Sequence, residues 1–308
     1  MPERSRAPIA ATFLVILSTW LPGPSARGQD DFPDDLVRWK PSPVAPVFKG
    51  EGGTAWDQKI RERGWIARDG GTFHLWYTGY NVDRKTDKFL GHATSPDGLA
   101  WTRDPANPLH ATSWVEDVCV LKVGATFWMF AEGRDDIAHR LISADGRSWW
   151  DLGPLDIRDT HGQPIPPGPR GTPTAWFEDG VWSLFYERGD RGVWLARSND
   201  GVTFTNVQDD PVVAMGPEGA YDSTAVAINQ VFKRGGVYYA VYHANKNTPW
   251  KDWSTCIARS RDLVHWEKYP GNPIVGENCS SGMIVETADG PRLYTAHPEV
   301  RRFEPAGR

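Results

Sequence analysis

One short motif recurs along this chain at intervals too regular for chance. Ser95-Pro-Asp97-Gly98-Leu-Ala-Trp101 returns as Ser143-Ala-Asp145-Gly146-Arg-Ser-Trp149, as Ser198-Asn-Asp200-Gly201-Val-Thr-Phe204 and as Ser260-Arg-Asp262-Leu263-Val-His-Trp266. A fifth, partial copy lies near the start, where Asp35-Leu36-Val37-Arg38-Trp39 matches Asp262 to Trp266 in type and spacing. The five Asp residues are 62, 48, 55 and 62 residues apart, and a proline follows seven residues after Trp39, Trp101, Phe204 and Trp266. Asp-Gly between two strand-like runs is a turn signal. A period of this length marks an architecture whose units share a core by stacking.

Ahead of each motif stands a second pair of apolar, β-branched and aromatic runs. These are Trp65 to Arg68 with Thr72 to Tyr77, Val118 to Lys122 with Thr126 to Phe130, and Thr174 to Phe177 with Val181 to Tyr186. Ala225 to Ile228 with Val237 to Tyr242, and Met283 to Val285 with Arg292 to Thr295, complete the set. Five inner hairpins and five outer turns predict an all-β chain, a five-bladed β-propeller of four-stranded blades. The last hairpin has no complete outer motif after it, whereas residues 35–48 carry an outer motif with no hairpin before it. An N-terminal strand should therefore complete the C-terminal blade, closing the ring without an open edge. Residues 29–308 should form one domain. The 16 Trp, 31 Gly and 25 Pro fit this plan, because aromatic residues favour strands while glycine and proline favour tight turns.

Residues 1–28 read differently. Arg4 and Arg6 precede an apolar run from Ile9 to Leu21, and Pro22, Gly23 and Pro24 break it before the small residues Ala26 and Gly28. This is the pattern of a secretory signal peptide, so a secreted or periplasmic protein is expected. The run is too short for a membrane span and no later segment is longer. Removing Glu3, Arg4, Arg6 and Arg27 takes the net charge from −5 to about −7. With no cluster of Lys and Arg, neither nucleic acid nor membrane is an expected partner. Cys119, Cys256 and Cys279 allow at most one internal disulfide, and no spacing among them suggests a metal.

In a propeller the start of each innermost strand and the end of the second strand meet at one mouth of the central channel. The residues brought there include Asp57, Glu62, Glu116, Asp117, Glu132, Glu187 and Asp222, with Arg61, Arg134, Arg170, Arg188 and His243. Glycosidic bond cleavage needs a carboxylate that activates water or attacks, and a protonated partner for the leaving oxygen. A third acid can tune the second by like-charge repulsion. Trp56 and Trp114 stand just before strand starts, where an indole face can stack on a sugar ring.

Five blades closed by an N-terminal strand, Phe73-His-Leu-Trp-Tyr-Thr-Gly79, Phe130-Ala-Glu-Gly133 and the repeated turns resemble the five-bladed propeller glycoside hydrolases of families 43, 32, 68, 117 and 130. The resemblance implies an acid-base site at the channel mouth, with Asp57 matching the catalytic Asp of the first blade and Glu62 its rival. It also implies Asp117 as the second acid, and Tyr221-Asp222-Ser223 is similar to a Y-D-[SD] segment of families 117 and 130. Family 43 keeps an acid in E-G-P at the third blade, where this chain has Gly171-Thr-Pro-Thr174. The general acid stays open among Glu132, Glu187 and His243, the last after a modest upward shift of its pKa. Some relatives hold Ca²⁺ in the channel, but no ligand spacing here calls for a cofactor. The expectation is an exported hydrolase of oligo- or polysaccharides, inverting and exo-acting. A family 130-like phosphorylase and a non-catalytic sugar-binding propeller are the alternatives, and oligomeric state is left unassigned.

Overall fold

A computed structural model describes residues 32–247 and 251–307; the leader read in residues 1–28 lies outside them. From Pro33 onward the chain forms a single unit of five sheets arranged as a five-bladed propeller. Blade 1 takes its innermost strand from Lys59–Ile60 and Trp65–Asp69, then Thr72–Tyr80, Phe89–Ser95 and Thr102–Arg103. Blade 2 runs Glu116–Val123, Thr126–Glu132, Ala138–Ser143 and Trp150–Pro154. Blade 3 runs Thr174–Glu178, Val181–Glu187, Gly192–Ser198 and Thr203–Asn206, and blade 4 Ala225–Arg234, Val237–Asn245, Ser254–Ser260 and Trp266–Lys268. Blade 5 has Met283–Thr287, Gly290–Thr295 and Arg301–Pro305. Its fourth strand is Trp39–Pro41, with Trp39 opposite Pro305 and Pro41 opposite Phe303, so the ring closes as its repeat order predicts.

The repeated motif is a self-contained turn. Ser95 Oγ accepts the Gly98 N–H at 2.8 Å, and Asp97 Oδ1 accepts the N–H groups of Leu99 and Ala100 at 2.8 and 2.9 Å. The same bonds recur at Ser143 and Asp145, Ser198 and Asp200, and Ser260 and Asp262. The fourth position is left-handed each time, glycine in three copies and Leu263 with φ 68° in the last. Leu263 is buried against blade 4, where apolar contact offsets the strain. In the partial copy Asp35 sits in a one-turn helix, Asp34–Val37, and forms a bidentate pair with Arg234 instead.

Two features were not legible in the repeat. Blade 3 carries an additional outer strand, Asp156–Arg158, parallel to Thr203–Asn206. All three cysteines are buried and free. Among the described residues no helix is long and apolar enough to cross a membrane.

Candidate active site

The innermost strands of blades 1, 2 and 4 lose their register near the channel mouth. In blade 2 Glu116 pairs with Glu132 and Cys119 with Phe130, leaving an extra residue on the inner strand. Blade 4 is bulged at Asn229, between Ile228 and Gln230, and blade 1 breaks between Ile60 and Trp65. Bulges re-aim side chains. Four residues just before or at the start of innermost strands take left-handed backbone: Arg63 (φ 60°), Asp117 (51°), Thr172 (51°) and Ser281 (58°). Non-glycine residues rarely adopt this conformation, and strain of this kind gathers at functional sites.

These kinks surround a cavity of about 390 Å³ lined by Arg61, Glu62, Asp117, Glu132, Asp136, Thr172, Glu187, Asp190, His243, Trp253, Ser280, Ser281 and His297. Blade 3 supplies a backbone cradle for two of the acids. The Gly171 N–H donates to Glu187 Oε1 at 2.9 Å and the Thr172 N–H to Glu132 Oε2 at 3.0 Å. A Cβ at residue 171 would lie 2.3 and 2.5 Å from those same oxygens, so the two carboxyl groups approach within about 5 Å of each other. Thr172 Oγ1 lies 3.4 Å from Asp117 Oδ2. Behind them Arg63 is fully buried; it donates to Pro173 O at 2.9 Å and to Thr174 Oγ1.

Burial pushes the three acids up. Glu187 rises to about 7, through burial and then the neighbouring Asp190. Glu132 is held well above the usual carboxylate range by burial, with Asp117 and Glu116 adding repulsion. Asp117 is also raised by burial, against the opposing pull of Arg63. Glu62 goes the other way: burial opposes its ionisation, but the His297 contact at 3.5 Å and Arg61 prevail and lower it to about 2. The cavity therefore sets carboxyl groups whose pKa values are pushed up beside one whose pKa is pushed down, the divergence on which acid-base assignments rest.

His243 lines this cavity but does not fit the role of a shifted acid. Burial, reinforced by Arg63, lowers it to about 3, so it stays neutral. Asn229 Nδ2 lies 2.9 Å from His243 Nδ1; donation there leaves Nε2–H free to bind a hydroxyl.

Asp57 and Asp222 are not brought to the cavity. Asp57 accepts from Tyr77 Oη at 3.0 Å and Arg103 Nε at 2.9 Å, and Asp222 pairs with Lys268. The two sites repeat each other. Arg103 and Lys268 each lie 46 residues beyond their Asp, and Asn107 and Asn272 each 30 residues beyond Tyr77 and Tyr242, whose hydroxyls they bond. These buried carboxylates tie the outer strand of a blade to its inner pair. Asp57→Asn should accordingly lower the melting temperature, by a loss on the order of 3 kcal/mol, while folded protein keeps its turnover; thermal denaturation with kinetics on the folded fraction checks both.

The other expected contacts also divide. Arg61 lines the cavity, paired with Glu62 and Glu116. Arg134 pairs with Asp87 and covers Trp114, which Lys88 also approaches. Arg188 bonds Tyr186 Oη and covers Trp194, and Arg170 Nη1 donates to the Pro169 carbonyl. Trp56 stacks on Tyr77 with ring centroids 5.9 Å apart. None of these six aromatic and basic side chains other than Arg61 lines the cavity. Asp136 and Asp190 do, from the turns after the second strands of blades 2 and 3. Their signal was an acid at that strand end followed closely by a second, Glu132 to Asp136 and Glu187 to Asp190.

No family model matches this chain. The sequence is 24% identical over 139 residues to a 1,2-β-oligomannan phosphorylase of Thermoanaerobacter sp. (strain X514), a stretch that spans 41% of this chain and 46% of that relative. Among solved structures, the β-1,2-mannobiose phosphorylase of Listeria innocua superposes with TM-score 0.64 at 14% identity, covering 86% of this chain and 95% of that one. A structure from the family 130 of mannoside phosphorylases superposes with TM-score 0.63 at 14% identity over 88% and 94%. That family is described there as containing glycoside hydrolases that target β-1,2-mannosidic linkages in Candida mannan. The five-bladed propeller is thus the fold of known glycoside-processing enzymes.

Proposed function

We propose that this protein is an exported glycoside hydrolase that removes terminal sugars from an oligosaccharide with inversion. The observation that carries the reading is the carboxyl set of the cavity: Glu62, Asp117, Glu132, Asp136, Glu187 and Asp190 line it with a single arginine, and Glu187 is raised to about 7 while Glu62 is lowered to about 2. That arginine, Arg61, is already paired twice. A phosphate nucleophile would find no uncommitted arginine among the lining residues, whereas water needs none. In the proposed step Glu187, paired with Glu132, donates its proton to the glycosidic oxygen as the bond to the anomeric carbon breaks. Water attacks that carbon and gives its proton to Glu62. Glu62 and Glu187 come from blades 1 and 3, which are not neighbours, an arrangement suited to attack and departure on opposite sides.

The similarity to mannoside phosphorylases favours a second reading, phosphorolysis of a β-1,2-mannoside. One assay separates them. Oligosaccharides beginning with β-1,2-mannobiose are incubated with and without 10 mM phosphate, a concentration on the order of a typical enzyme's saturation range. The hydrolase reading expects free sugar at rates independent of phosphate, with the inverted anomer formed first. Sugar 1-phosphate formed only with phosphate would establish the phosphorylase. Export rests on the leader in residues 1–28; N-terminal sequencing of protein recovered outside the cytoplasm should begin near Gln29.

A further inference from the structure

We infer that the protein carries a second carbohydrate-binding site, centred on Trp150 at the turn end of blade 2 and remote from the channel mouth. Most tryptophans described here are committed to packing. Trp149 and Trp182 are buried, Trp76 donates to the Gly146 carbonyl, and Trp56 and Trp114 are covered by Tyr77 and by Arg134. Trp150 is the exception: it is outside the repeated motif and 61% exposed, the most exposed large hydrophobic residue described. Beside it opens a groove of about 520 Å³ lined by Ala106, Leu109, Asp145, Arg147, Ser148 and both Trp149 and Trp150.

The walls of this groove select the occupant. Asp145 is fixed by the turn bonds to Arg147 N–H and Ser148 N–H, at 2.8 and 2.7 Å. Arg147 is held by Asp104 at 2.7 Å, yet half its side chain remains exposed. A flat indole beside preset donors and acceptors suits a ligand with an apolar C–H face and a rim of hydroxyls, which is a sugar ring. A second copy of the chain fits poorly. Trp150 and the neighbouring Leu152 are the exposed large apolar groups on this strand, and two such side chains fall well short of the roughly 800 Å² per partner of a stable interface. A folded scaffold already positions the groove, so little ordering entropy opposes binding.

The site does not depend on the catalytic reading except in the class of ligand, and its test is built to keep the two apart. Full-length protein is run in native gels containing yeast mannan, xyloglucan or arabinan. We expect at least one polysaccharide to retard it, and Trp150→Ala to weaken that retardation at least about tenfold, the effect of losing an aromatic anchor. Turnover of a short soluble substrate should change less than about twofold, as for a surface substitution. Glu187→Gln should do the reverse, losing turnover and keeping retardation. Equal retardation of wild type and Trp150→Ala, retardation in none of the gels, or a lower sedimentation coefficient in Trp150→Ala would each overturn the proposal, the last in favour of self-association. If retardation depends on Trp150 while no substrate is cleaved, the second site stands and the hydrolase reading falls.

Discussion

Glu187→Gln is expected to lower kcat about 10²–10⁴-fold, the usual contribution of a general acid, while raising the melting temperature at pH 8. The two effects have one origin. Burial and Asp190 hold the Glu187 carboxyl near 7, against about 4.3 in an unfolded chain. Between those values the folded state keeps a proton that the unfolded state has released, so stability falls as pH rises through that window. Above it the folded protein carries a buried charge that costs on the order of 3 kcal/mol. Glutamine removes that cost. It loses one acceptor, because Oε2 takes the Asp190 N–H, an offset of about 1 kcal/mol. A net gain on the order of 1–2 kcal/mol at pH 8 corresponds to a few degrees of melting temperature, with no gain at pH 4. Wild-type kcat should fall as pH rises past about 7. Calorimetry and a pH-rate series check both; lost activity with unchanged pH-dependence of stability would assign Glu187 a different part.

Gly171→Ala should have a comparable effect on turnover through geometry alone. The new Cβ would fall 2.3 Å from Glu187 Oε1 and 2.5 Å from Glu132 Oε2, so both carboxyl groups must move. Their bonds to the Gly171 and Thr172 N–H groups would be distorted together. A misplacement of about 1 Å can cost about 10²-fold, and here it strikes both members of the pair. We expect kcat to fall about 10²–10³-fold with circular dichroism unchanged. Activity within a factor of about three of wild type would show that the cradle does not position the acid.

The ring was legible because its information is local and repeated. A Ser and an Asp two residues apart, with glycine next, set a turn by their own hydrogen bonds, and the count of such turns gives the count of blades. The additional strand at Asp156–Arg158 has no copy elsewhere and left no such trace. At the site, position was easier to read than role. Glu62, Asp117, Glu132, Glu187, His243 and Arg61 reach the cavity as their places at strand ends imply. Asp57 and Asp222 stand at strand starts too, but point behind the inner hairpin toward Arg103 and Lys268. The duplicated spacing of Asp, Tyr, Arg or Lys, and Asn was the clue that they are parts of a blade. His243 shows a different limit. Its pKa falls because it is buried and Arg63 lies near, and its partner Asn229 is placed by a bulge that periodicity does not reveal. Likewise tryptophan count alone could not separate Trp149, packed between blades, from its neighbour Trp150 in solvent.

The proposed chemistry depends on a carboxyl group in the channel whose pKa is raised to about 7. Titration of ¹³C-labelled glutamate side chains by NMR, in wild type and in Glu187→Gln, addresses it without a substrate. We predict one resonance titrating at about 7, absent from the variant. Glutamates that all titrate below about 5, the range of ordinary carboxyl groups, would contradict it.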